Sequence, residues 1–189
     1  GDAFPDASDP ADGQTGDTAG GPKATAWGPI SGACGTLAAE LSNDQPVLLK
    51  NTWHFDDAAT FDTSKLTAGA KKRYEGPNAG GSSKCSEVMS MQMLHECEGA
   101  TVFKTETEIG YRQDGAITDW AARLGDQVVG VSVTRAYKGP TNLEFTEQDA
   151  VSLLSKKLAG INESSAHVRP ADKWVKQVLH VWTLQPQWV

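Results

Sequence analysis

"ITDWAARLGDQVVGVSVTRAY", residues 117–137, decides the fold. Residues 116–124 read as a strand, Gly125-Asp126 as a tight turn, and 127–137 as a second strand. The second strand is almost continuously apolar from Val128 to Val133, which is the pattern of a strand covered on both faces inside a sheet. Asp119 stands between Thr118 and Trp120 in the middle of the first strand, a position that disfavours an acid.

The surrounding elements follow from their periods. Val88, Met91 and Leu94, with Met89 and Met93 beside them, recur at helical spacing, so 83–98 is a helix and Gly99 its stop. Residues 101–111 alternate and form a strand, closed by the turn Gln113-Asp114-Gly115. After the central pair, 146–161 is a helix with Thr146 as N-cap, Asp149 at the capping-box position and Gly160 at its end. Residues 162–173 read as loop, and 174–184 as a strand or a helix running into one. Upstream, 31–41 reads as a short helix, 46–55 as a strand, 62–74 as an amphipathic helix capped by Asp62 or Thr63, and 75–83 as a loop. The expected fold class is α/β: a mixed central sheet on a helix-strand-strand-strand-helix-strand core, preceded by N-terminal helices.

A chain of 189 residues suggests one domain with extensions. Residues 1–26 are rich in Asp, Gly, Pro and Ala and read as a disordered acidic tether; 27–189 read as a single globular domain with its core at about 83–184. Residues 1–22 hold Asp2, Asp6, Asp9, Asp12 and Asp17 without a Lys or Arg, so the net charge of −7 falls to −2 once they are set aside. The longest basic block is Lys71 to Arg73, which argues against strong non-specific binding to nucleic acid while leaving nucleic acid open as a partner. No run of about 18 apolar residues spans a membrane. A small-residue acidic tether without an opening Met fits a processed protein, secreted or held at a cell envelope, such as a lipoprotein lipidated upstream.

Three cysteines leave at least one unpaired within the chain. Cys85 and Cys97 share the 83–98 helix roughly 18 Å apart, too far to bond. Either Cys34 pairs with Cys85 or Cys97, or all three are small buried thiols. Trp53, Trp120, Trp174 and Trp182 fall in strands and are assigned to the core; Trp27 and Trp188, near the ends, are expected to be exposed. His54, His95, His167 and His180 form no pair at metal spacing, and His180 reads as a hydrogen-bonded core or edge residue. "GGSS", 80–83, precedes a helix N-terminus that could receive an anion.

The element order, with Glu87 on the first helix and Asp119 on the second strand, resembles the core of the PD-(D/E)XK nuclease-like superfamily, the restriction-endonuclease-like fold. "NAGGSSKCSEVMS", "GVSVTRAY" and "KQVLHVW" are similar to segments of a family of secreted and protist-type proteins that share this order; that resemblance implies a fold and no activity. The superfamily resemblance implies Mg²⁺ held by carboxylates beside a scissile phosphate, with a lysine nearby. Glu87 and Asp119 match two of the acids. Ser132 stands where the third-strand acid belongs and Thr134 where the lysine belongs, so the motif is incomplete.

A rearranged site could complete it. Lys104, Glu106 and Glu108 alternate onto one face of the 101–111 strand. Glu106 could then be the third metal ligand with Asp119 and Glu87, and Lys104, or Lys156 or Lys157 on the second helix, the cation. The same three residues also fit a solvated strand face with cross-strand pairs, and Glu87 also fits a first-turn acid facing the helix dipole. Arg135 points to the face opposite Thr134, toward an acid or an anionic ligand. Two functions result: a divergent or degenerate divalent-metal phosphodiesterase, or a non-catalytic extracellular or envelope binding module that keeps the fold.

Overall fold

The computed structural model describes residues 21–56, 61–77, 83–139 and 144–183. The tether up to residue 20, Gly80 to Ser82 and Trp188 lie outside them. The class is mixed α/β, with two sheets and four α-helices among the described residues.

The larger sheet carries the strands β3 (Thr101–Thr105), β4 (Trp120–Leu124), β5 (Gln127–Arg135) and β6 (Lys176–Trp182), in that spatial order. The first three form an antiparallel meander, and β6 runs parallel to β5. Helix α3 (Lys84–Glu98) precedes the meander, and α4 (Glu147–His167) makes the crossover from β5 to β6. The expected element order is therefore found, and the sheet is mixed.

Both faces of β5 are covered, as its apolar run requires. Val129, Val131 and Val133 enter the main core with Val88 and Met91 of α3 and Trp120 of β4. The other face of the sheet meets α4 through a polar seam: Gln177 of β6 donates to Ser164 Oγ and Ser165 Oγ, each at 2.9 Å, and Thr118, just before β4, donates to Ser164 Oγ at 3.0 Å. A side chain at Gly130 would press on Trp174, since a Cβ there would lie 2.9 Å from the indole ring.

The helix ends follow local chemistry. Gly99 adopts φ 68° and closes α3 by donating its N–H to the carbonyl of His95. Thr146 and Asp149 make a reciprocal capping box that starts α4. Helix α4 passes through Gly160 and continues to His167, so the loop expected at 162–173 begins six residues late. A glycine inside a helix costs only about 1 kcal/mol, which does not by itself end the helix.

The N-terminal part differs most from expectation. The helix expected over 31–41 divides into β1 (Ile30–Gly32) and the short α1 (Leu37–Glu40), because Gly32 and Gly35 hold positive φ. Strand β2 (Asn51–Trp53) pairs antiparallel with β1. The 62–74 segment becomes a 3₁₀ turn, Thr63–Lys65, followed by α2 (Ala68–Glu75), and Asp62 caps the turn through the Ser64 N–H. Lys23 bridges to Ile30, so residues just inside the expected tether join this unit. Trp27 is buried at 5% exposure, against the expectation for a terminal tryptophan, because it packs with Phe61 and Lys65. A Cys34–Cys97 disulfide pins the unit to the end of α3, and Cys85 is exposed and free.

Candidate metal centre

Helix α2 turns Ala70 and Arg73, three residues apart, to its buried face. Arg73 is 1% exposed. Its Nε donates to Glu87 Oε2 at 2.8 Å, and its Nη2 forms an ion pair with the same oxygen at 2.6 Å. Nη2 also donates to Glu106 Oε1 at 2.8 Å, and Nη1 to the Pro77 carbonyl at 3.1 Å. A guanidinium fork suits this task, since one rigid plane can hold two carboxylates.

Glu87 lies in the first turn of α3 and is fully buried; its other oxygen accepts the Ser83 hydroxyl at 2.5 Å. Glu106 follows β3, which ends at Thr105; the chain then turns, and the Glu108 N–H returns to the Thr105 carbonyl at 2.9 Å. This turn, together with the irregular register between Val102 and Lys104, breaks the alternation expected over 104–108. Glu106 is therefore directed inward, Lys104 pairs with Asp172 at 2.6 Å, and Glu108 pairs with Lys72 at 2.5 Å.

Asp119 immediately precedes β4. Its Oδ2 accepts the Val133 N–H from β5 at 2.6 Å, and Lys157 of α4 donates to the Val133 carbonyl at 3.0 Å. One peptide-bearing residue of β5 thus fixes a carboxylate and an ammonium together. Burial pushes the Asp119 carboxyl up to about 6; the Val133 hydrogen bond and Lys157 oppose the rise, and Glu87 and Glu106 add to it.

Glu87, Glu106 and Asp119 each bring one oxygen within 4.8 Å of the others. This all-oxygen donor set fits a hard divalent cation such as Mg²⁺ or Mn²⁺. Three carboxylates face two cations, Arg73 and Lys157. A cavity of about 240 Å³ adjoins the cluster, lined by Lys72, Arg73, Gly76, Pro77, Thr105, Thr107 and Glu108.

Of the residues singled out in the sequence, the structure brings together Glu87, Glu106 and Asp119, with Lys157 beside them. Lys104 is committed to Asp172. Ser132 and Thr134 are buried in β5, and the Ser132 hydroxyl faces Gln177 at 3.4 Å. Arg135 is exposed and lies over the Tyr137 ring. Arg73 is the residue that sequence reasoning passed over, as part of a basic block; its place one helical turn from the small Ala70 was the available signal.

No family model matches the chain, and no solved structure matches it. A Dictyostelium discoideum protein described as "AAC-rich mRNA clone AAC4 protein" is 41% identical over 137 residues, which cover 69% of this chain and 20% of the relative. The chain thus spans about a fifth of the length of the curated relative it matches.

Proposed function

We propose that the chain is a divalent-metal phosphodiesterase of the PD-(D/E)XK nuclease-like kind, with a rearranged site. The observation that carries this reading is the convergence of Glu87, Glu106 and Asp119 beside the Lys157 ammonium. The α3-β3-β4-β5-α4-β6 order, with Asp119 at the head of β4, supports the restriction-endonuclease-like core. In this reading Glu106 replaces the acid absent at Ser132, and Lys157 the lysine absent at Thr134.

The residues divide the work. Ser83 and the Val133 amide fix the orientation of Glu87 and Asp119. Asp119 is mostly ionised above pH 6 and then offers full negative charge to a cation. Lys157 supplies positive charge against a phosphate that enters beside Asp119. A bound divalent cation would polarise the phosphate and acidify a water. The Cys34–Cys97 disulfide supports placing the protein outside the reducing cytosol, secreted or at an envelope.

The test is cleavage of single- and double-stranded DNA and RNA in Mn²⁺. Wild type is expected to cleave at least one of these, and Asp119→Ala and Lys157→Ala to lose at least 100-fold, about 2.7 kcal/mol of barrier. Cleavage unchanged in both variants would refute the assignment. A second reading, a binding module that keeps the fold, draws on the apolar side chains that α4 leaves exposed, Val151, Leu154 and Leu158.

A further inference from the structure

We propose that Arg73 is a tethered cation that holds the carboxylate site closed and that a divalent cation must displace. The inference rests on the metal reading above and concerns how that site is controlled. Both oxygens of Glu87 are already engaged, Oε1 by Ser83 and Oε2 twice by Arg73. The same guanidinium spans to Glu106. Two of the three acids that converge on the site are therefore bridged by one internal cation.

A metal ion that takes an oxygen from Glu87 and one from Glu106 competes with Arg73 for the same electron density. Burial sharpens this competition. With Arg73, Glu87 and Glu106 out of water, their attraction is weakly screened, and one positive charge already offsets part of the negative charge that attracts a second. The cavity of about 240 Å³ lined by Arg73 provides the place for the guanidinium to withdraw. Its volume is that of several water molecules, at about 30 Å³ each. Withdrawal releases the Glu87 and Glu106 oxygens that the guanidinium holds, beside an Asp119 carboxylate that Lys157 attracts, and a divalent cation can take them. Metal binding is then coupled to a side-chain movement near the end of α2, beside the cavity that Arg73 lines.

The experiment titrates Mn²⁺ into wild type and Arg73→Gln by calorimetry and follows the melting temperature of each with and without Mn²⁺. Arg73→Gln is expected to bind at least tenfold more tightly and to gain much more thermal stability from Mn²⁺ than wild type gains. Arg73→Lys retains a charge without the two-armed fork; it protects the fold if Arg73→Gln is unstable, and its affinity is expected between the two. Wild type that binds Mn²⁺, with variants that bind no more tightly, overturns the latch and leaves the metal reading intact. Absence of binding in wild type and in both variants overturns both.

Discussion

Asp119 shows how one side chain can report on the whole site. Its carboxyl sits at about 6 in the folded chain against an ordinary value of 3.8, because burial disfavours the charged form. The folded state therefore holds the proton more tightly than the unfolded state. Its stabilising effect is complete below pH 4 and is lost as pH rises to 6, a change on the order of 3 kcal/mol. His180 acts in the opposite sense. Its ring stacks on Trp182 and meets Ser90 Oγ at 2.8 Å, and loss of hydration pulls it down to about 4. Protonation of the unfolded chain then removes stability as pH falls from 6.5 toward 4. Subtraction separates the two: in urea unfolding with chelator present, Asp119→Asn should gain on wild type between pH 4 and 6. Parallel profiles would show that Asp119 is not held as described. At this scale Glu87 was legible only through its place in the element order, and Asp119 through an expected mid-strand position that the structure moves to just before β4. Arg73 was not, because a basic triplet looks solvated until the helix face it shares with Ala70 is known.

At the scale of elements, the sheet is positioned by close approach as much as by pattern. Gly130 lets the Trp174 ring lie against β5, and that ring is anchored by its own Nε1–H bond to Ser165 Oγ at 3.0 Å. Gly130→Ala should cost about 1–3 kcal/mol in chemical denaturation, since the tryptophan cannot yield without losing this bond. A cost near zero would mean that the α4 seam is looser than drawn. The meander and its two helices were legible in order because the helical spacing of α3, the capping box of α4 and the apolar run of β5 are strong local signals, though β3 ends early and its register is irregular. The segments that misled are those where a local device overrides the period. Gly32 and Gly35 split an apparent helix, a turn after Thr105 sends Glu106 and Lys104 apart, and α4 carries Gly160 through its interior. Lys157 was legible as one of two helix lysines, but the choice between them depended on the register of α4 on β5.

Across the whole molecule, the N-terminal unit and the core are joined at the two ends of α3. At one end, Cys34–Cys97 closes a loop of 63 residues, and Glu98 accepts the N–H groups of Gly35 and Leu37, each at 3.0 Å. A cross-link of that span stabilises by about 4 kcal/mol in the chain-entropy picture. At the other end, α2 delivers Arg73 to Glu87. The fold thus carries a cation to the carboxylates from outside the β3–β6 core, and the acids themselves come from α3, the turn after β3 and the approach to β4. The central claim is that these three acids form a centre for a divalent cation. Calorimetric titration of Mn²⁺ into wild type and Asp119→Ala tests it most directly. One-to-one binding to wild type and its loss in Asp119→Ala are expected; equal binding by both proteins, or none by wild type, would mean that the three acids hold no cation.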